Sequence, residues 1–172
     1  EEKNKKNPIV WFGKNQITGN EIFLKSNPQT QELDSLLISG NVFLIQKDSI
    51  SEDGYNQIKG EKLYGSFQDG KLKNVNVVKN SVILYYMHSD DGEDFFGLNK
   101  TIASSILIKF ENNEIAEVSF YKTPDGNIIS EKNIISNEKT LPGFIWRDKE
   151  RPNSVQDLFS NADKVLKIVE IE

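Results

Sequence analysis

The chain has no cysteine, and only one histidine and one methionine among its 172 residues. Without cysteine there can be no disulfide, no thiolate metal site and no thiol nucleophile. That suits a reducing cytoplasm, and equally an oxidising compartment in which a stray thiol is a liability, so the compartment stays open. No run of 18 apolar residues occurs, which rules out a helical membrane span. Neither G-x-x-x-x-G-K-[ST] nor G-x-G-x-x-G is present, so nothing signals a nucleotide cradle, and phosphoryl or hydride transfer is unsupported. Acidic residues outnumber basic ones, 26 to 21. A net charge of −5 argues against nucleic acid as a partner, because phosphate binding needs a basic face. The opening EEKNKKNP lacks the apolar stretch of a secretory signal and reads as the start of a mature domain or of an excised piece.

With 37% hydrophobic and 27% charged residues the chain is neither disordered nor membrane-like, and its length fits one domain with a sizeable core. Its organising stretch is 58–80, IKGEKLYGSFQDGKLKNVNVVKN. Ile58, Leu63 and Phe67 precede Asp69-Gly70, a turn pair suited to φ > 0, and Leu72, Val75 and Val77 follow it. This predicts a β-hairpin. The pattern recurs. Ile17-Thr18-Gly19 returns at Ile58-Lys59-Gly60, an offset of 41; Leu33, Leu36, Ile38 and Asn41 return at Leu72, Val75, Val77 and Asn80, an offset of 39; Phe67, Leu72, Val75 and Val77 return at Phe110, Ile115, Val118 and Phe120, an offset of 43. About three diverged strand-turn-strand units therefore fill roughly 15–130, as in a repeat-built β architecture.

In chain order, residues 1–14 form a polar lead with a short strand or cap at 9–12. Strands are expected over 17–25 and over 33–46, the latter broken at Gly40-Asn41, with a loop at 47–56 before the central hairpin. The run SVILYYM at 81–87 is apolar without interruption and predicts burial on more than one side, with its inward parity undetermined. Further strands are expected from Phe95, over 102–110, over 116–122 and at Ile128-Ile129. The β domain is placed at 15–140. Residues 141–172 form a tail in which Leu141 to Arg147 supply aromatics that dock on the sheet, and Ser154-Val-Gln-Asp157 fits a capping box opening a short helix at about 155–161.

Few residues suggest chemistry. His88 stands beside Asp90 and Asp91, but with no second histidine and no nucleophile motif a loop histidine is read as surface, and no catalytic residue is assigned. The acidic loop Asp90-Asp91-Gly92-Glu93-Asp94 lacks the ligand spacing of a calcium loop and is read as a solvated turn, with no metal and no cofactor assigned. Asn99-Lys100-Thr101 matches a glycosylation triplet that is common by chance. Around the central hairpin Lys59, Lys62, Lys71, Lys73 and Lys79 outnumber Glu61 and Asp69. Such lysines usually shield a sheet from aggregation; the sharper reading is a basic rim for an anionic lipid headgroup, carried by Lys59, Lys71 and Lys73. Alternation and repeat alignment together place Leu36, Ile38, Leu63, Phe67, Val75, Val77, Ile106, Ile108, Phe110, Val118 and Phe120 on one inward face.

The run Asn56-Gln57-Ile58-Lys59-Gly60 with Leu63-Tyr64-Gly65-Ser66-Phe67-Gln68-Asp69-Gly70-Lys71-Leu72, then Val75, Val77 and Asn80, resembles the OstA-like (LptA-like) family of periplasmic lipopolysaccharide-transport proteins. So do Leu36 to Leu44, Gly97-Leu98-Asn99-Lys100, Gly143-Phe144-Ile145-Trp146 and Arg151-Pro152. The resemblance implies an all-β open jellyroll of V-shaped strands, located in the periplasm, that shelters lipid A acyl chains on the eleven inward residues named above. Burial of about 0.8 kcal/mol per CH₂ needs only apolar area and an opening, not a catalyst. It also implies lipopolysaccharide or a related lipid as ligand, and other transport proteins as partners through edge-strand addition. The chain departs from that pattern in its acidic balance and its long tail. Two other readings remain: a structural or protein-protein module of an envelope assembly, marked by a dry, filled interior, and a small β-sandwich enzyme or carbohydrate binder, marked by an aromatic platform with a polar cluster.

Overall fold

The computed structural model describes residues 6–89, 91–92, 94–112, 114–154 and 157. Among them nine strands run in chain order: β1 (Ile9–Phe12), β2 (Asn15–Thr18), β3 (Glu21–Ser26), β4 (Leu33–Lys47), β5 (Tyr55–Gln68), β6 (Lys71–His88), β7 (Phe95–Glu111), β8 (Glu114–Tyr121) and β9 (Asp125–Ser130). All pair antiparallel in one open sheet of order β1-β2-β4-β5-β6-β7-β8, with β3 also on β4 and β9 also on β7. The fold is all-β and jellyroll-like. The central hairpin closes at Gln68↔Lys71, and Asp69 and Gly70 take φ of 52° and 69°, as a two-residue hairpin turn requires.

The long strands are bent, and the bends follow from a few backbone positions. Pairing skips between Ser39 and Val42, between Lys59 and Lys62, and between Val78 and Ser81. At these skips and just after β8, consecutive residues enter the left-handed region: Gly40 and Asn41, Lys79 and Asn80, Lys122 and Thr123. Two such residues in succession break the pleat and turn the strand as a bulge does. The facing strand must come close at the corner. A Cβ on Gly60 would lie 2.4 Å from Val77 Cγ1, so only glycine fits there. In the same row Asn20, between β2 and β3, donates its N–H to the carbonyls of Ser39 and Gly40. The pairs β2/β3 and β8/β9 thus act as single bent strands. Six bent strands make two walls joined along a row of corners. The first wall holds β3, β8 and the halves of β4 to β7 around Ile38, Leu63, Val77 and Ile106; the second holds β1, β2, β9 and the other halves.

The repeats seen in the sequence are these corners and hairpins. Gly19 and Gly60 mark equivalent corners, as do Asn41 and Asn80, while Phe67 and Phe110 precede equivalent hairpin turns. The ranges 17–25 and 81–87, expected as separate strands, are instead parts of bent ones: the first divides at its corner into β2 and β3, and the second continues β6. Between the walls lies one core. On the first wall Ile38, Leu63, Val77, Ile106 and Phe120 sit in register across five strands. Facing them from the second wall are Ile17, Val42, Leu44, Ile58, Ile83 and Ala103.

A second core covers the outer side of the second wall, where Phe43, Ile45, Leu84, Tyr86 and Leu98 pack under Ile134 and, from the tail, Leu141, Phe144 and Trp146. The run 81–87 is therefore buried on both faces, Ile83 inward and Leu84 and Tyr86 outward. Two buried glutamines pin the tail in the manner of β-ladder partners. Gln16 donates to Ile145 O (2.8 Å) and accepts from Arg147 N (2.7 Å); Gln57 donates to Lys139 O (2.8 Å) and accepts from Leu141 N (2.7 Å). Trp146 meets Trp11 edge-on at 5.2 Å. The expected aromatic docking is present. At Ser154 and Asp157 the reciprocal capping bonds form; the rest of the expected helix lies outside the described residues.

Candidate functional site

All eleven residues expected to line a lipid groove lie on the inner face of the first wall. Leu36, Ile38, Leu63, Val75, Val77, Ile106, Ile108 and Phe110 are buried, whereas Phe67, Val118 and Phe120 are half-buried and pack on the same core. Most of this face is therefore pressed against the second wall. At the mouth of the V, opposite the corners, the walls touch through Phe12 and Phe67, whose rings lie 4.9 Å apart. Lys14, in the β1–β2 turn, reaches Glu114 at the start of β8 at 2.9 Å.

The walls separate beside β8. There a space of about 270 Å³ opens between Ile115, Val118 and Phe120 on the first wall and Ile83, Tyr85 and Met87 on the second. It adjoins a more polar space of about 330 Å³ that shares Tyr85, Met87 and Ile115 and adds Gln46, Asp48, Asn56, His88 and Glu114. The change of character is written into the second wall. Past the apolar positions Ile17, Leu44 and Ile58, strands β2, β4 and β5 place Asn15, Gln46 and Asn56 on the same face, and Asn15 and Gln46 are register partners, as are Gln46 and Asn56. Asn56 Oδ1 accepts from Tyr86 N (2.8 Å), which fixes the amide. Burial, with the nearby Asp48 and Glu114 carboxylates, pushes the Tyr85 phenol above its ordinary pKa, so it stays a neutral hydroxyl.

His88 is not a surface loop residue. It ends β6, and its Nε2 lies 2.8 Å from Asp48 Oδ2, with side chains only 8% and 6% exposed respectively. Asp48 also accepts from Ser51 N (2.7 Å). The other ring nitrogen, Nδ1, is buried with no hydrogen-bond partner among the described residues. Asp91, the expected neighbour of His88, instead accepts from the Ser89 hydroxyl, and Asp90 lies outside the described residues. Among the described residues no three acidic, histidine or cysteine side chains are grouped to hold a metal.

The expected basic rim does not assemble. Lys59 belongs to the second wall; its ammonium lies 5.4 Å from the Phe43 ring centroid and donates to Pro142 O of the tail. Lys71 and Lys73 stand at the hairpin end of the first wall, where Lys73 occupies the pairing shift between Phe67↔Leu72 and Ser66↔Asn74. Alternation carries no information about which wall a residue joins, so three lysines close in sequence were grouped that a corner holds apart. A further space of about 450 Å³ lies between the tail and the second wall, bordered by Lys6, Phe43, Lys59, Ile145, Arg147 and Glu150. Of its three cations, Lys6 and Arg147 are engaged by Glu150 and Lys59 by Pro142 O.

Sequence reading missed Asp48, Tyr85, Met87 and Ile115 as cleft residues. The Phe110 repeat already aligned Ile115 with Leu72, which was the available signal for that position; Asp48 carried none. No protein-family model, no curated protein and no solved structure matches this chain.

Proposed function

We propose that this chain is a lipid-binding module of the bacterial envelope that shelters acyl chains of lipopolysaccharide or a related lipid between its two walls. The periplasmic setting and the named lipid rest on the family resemblance in the sequence. The observation that carries the lipid reading is the unsealed side of the core: an apolar inner face that runs across the first wall and reaches an open cleft at Val118 and Phe120. At about 270 Å³ the cleft falls just below the usual size of ligand pockets, roughly 300 to 1,000 Å³. A lipid with several chains therefore requires the walls to part. The contacts at the mouth are weak enough for that: the exposed Lys14–Glu114 pair contributes about 0–1 kcal/mol, and the Phe12–Phe67 pair about 0.5–1.5 kcal/mol beyond its buried area. Each acyl CH₂ buried in exchange contributes about 0.8 kcal/mol.

A second reading, a structural or protein-protein module, is favoured by the filled interior and by β3. Among the described residues β3 pairs with β4 alone and shows Phe23 and Leu24 to solvent. An exposed edge of that kind invites strand addition. Native mass spectrometry of the chain purified from a lipopolysaccharide-producing host separates the two. Lipid-mass adducts that survive desalting are expected. A bare chain that also takes up no added lipopolysaccharide leaves the structural module as the better reading.

A further inference from the structure

We infer that residues 155–169 dock as an amphipathic helix on the flank of the V formed by β1 and β3, and close the core there. The inference goes beyond the lipid reading and does not depend on it. Among the described residues β1 and β3 each pair with one strand, and Val10 and Phe12 of β1 and Ile22 of β3 are half-buried on the same core. The two strands therefore bound one flank. Leu24 of β3 is the register partner of Leu36, so both point inward, yet Leu36 is 2% exposed and Leu24 49%. One strand in from the edge the core is sealed; at the edge it is not.

The tail delivers its end to this flank. The Arg151 guanidinium lies 5.6 Å from the ring centroid of Trp11 in β1. Just beyond, a helix begins: Asp157 is helical, its carboxylate accepts from Asn153 N and Ser154 N, and its own N–H donates to the Ser154 hydroxyl. From there Val155, Leu158, Ala162, Val165 and Val169 recur at alternate spacings of three and four, with Phe159 and Leu166 beside them on one helical face. A helix of this length is marginal in water until that face is packed. Fifteen helical residues span about 22 Å and facing sheets lie about 10 Å apart, so a helix starting beside Trp11 can cross from β1 to β3. Off the apolar face stand Asp157, Asp163, Lys164 and Lys167, two charges of each sign. That balance suits a protein surface and lacks the basic excess of a membrane-surface helix.

The absence of cysteine makes the flank testable in the full chain. Single thiols are introduced by Leu24→Cys, facing the flank, and by Phe23→Cys, on the outer face of the same strand, and each rate of maleimide labelling is divided by its rate in urea. The thiol at 24 should react about tenfold or more slowly than that at 23, at every protein concentration, because access requires the helix to open. Adding Leu158→Asp with Leu166→Asp should abolish the protection, whereas Ser160→Asp with Lys164→Asp, on the polar face, should leave it. A thiol from Val77→Cys, at a fully buried position, must stay unreactive in the Leu158→Asp, Leu166→Asp background, which shows the sheet folded; if it reacts, Leu158→Ala with Leu166→Ala decides instead. Equal rates at 24 and 23 overturn the inference. Protection that ignores the changes at Leu158 and Leu166 also overturns it, as does protection lost on dilution, which would assign the flank to a second copy of the chain. Lipid adducts in native mass spectra are scored separately, so the lipid reading stands or falls on its own.

Discussion

Removing the imidazole of His88 leaves the Asp48 carboxylate almost out of water with only the Ser51 N–H among the partners named above. A buried acceptor deprived of a partner costs about 1–3 kcal/mol, and a charged one at least that. His88→Ala should therefore lower the urea midpoint by that equivalent with an unchanged denaturant slope, and a change within about 0.5 kcal/mol would show the pair to be structurally idle. The local sequence could not reveal this pair, because the two residues lie 40 positions apart and meet only through the β4–β5–β6 pairing. The opposite holds for Val75 and Val77, or Ile106 and Ile108. A strand buried on one face repeats every two residues, and that period alone assigns them inward. Where both faces are buried, as at Ile83 and Leu84, the period vanishes and parity becomes legible only in the structure.

At the scale of elements, the tail behaves as a strap whose anchor is electrostatic at one end. Arg147 and Lys6 hold the Glu150 carboxyl at a pKa of about 2 against an ordinary 4.5, chiefly through the Arg147 hydrogen bonds. A depressed carboxyl stabilises the docked state fully above 4.5, and that contribution is lost as pH falls toward 2. The effect is small, because Glu150 is about one-third exposed and screened by solvent. Acidification from pH 5 to 2 should loosen the strap at this end, read as a change in tryptophan fluorescence from the Trp11–Trp146 pair, and Glu150→Gln should flatten that transition. The same fluorescence change in the variant would assign it to other carboxylates. The aromatics of the tail were legible as a docking segment since Phe144 and Trp146 have no place in a solvated coil, whereas Ile145 between them is exposed. Its anchors were not. Gln16 and Gln57 are polar residues in strand patterns, and their bonds span 129 and 82 positions of chain. The corners lay between these extremes: Gly40-Asn41 is a visible break and Asn80 repeats Asn41, but nothing in the sequence shows that the strand resumes beyond a corner with the same neighbours, so β6 reads as two pieces.

For the whole molecule the question is whether the walls part. Val77 lies in the middle of the first wall with no solvent exposure, so a charge there would unfold the sheet before it tested any ligand. The mouth offers a cleaner test. The chain has no cysteine, so the paired variant Phe12→Cys with Phe67→Cys can be joined by a short bis-maleimide without competing thiols. If large lipid enters by separation of the walls, the joined protein should lose uptake of added lipopolysaccharide in native mass spectra, while the same variant before crosslinking takes it up. The cleft beside β8 lies on an open flank and needs no separation. The ¹³C-labelled ε-methyl group of Met87, the single methionine, borders that cleft and should keep its resonance position in the joined protein, which shows that the crosslink has not destroyed the fold. Undiminished lipopolysaccharide uptake by the joined protein would mean that the lipid stays outside the V, and the filled interior would then be a structural core rather than a closed carrier.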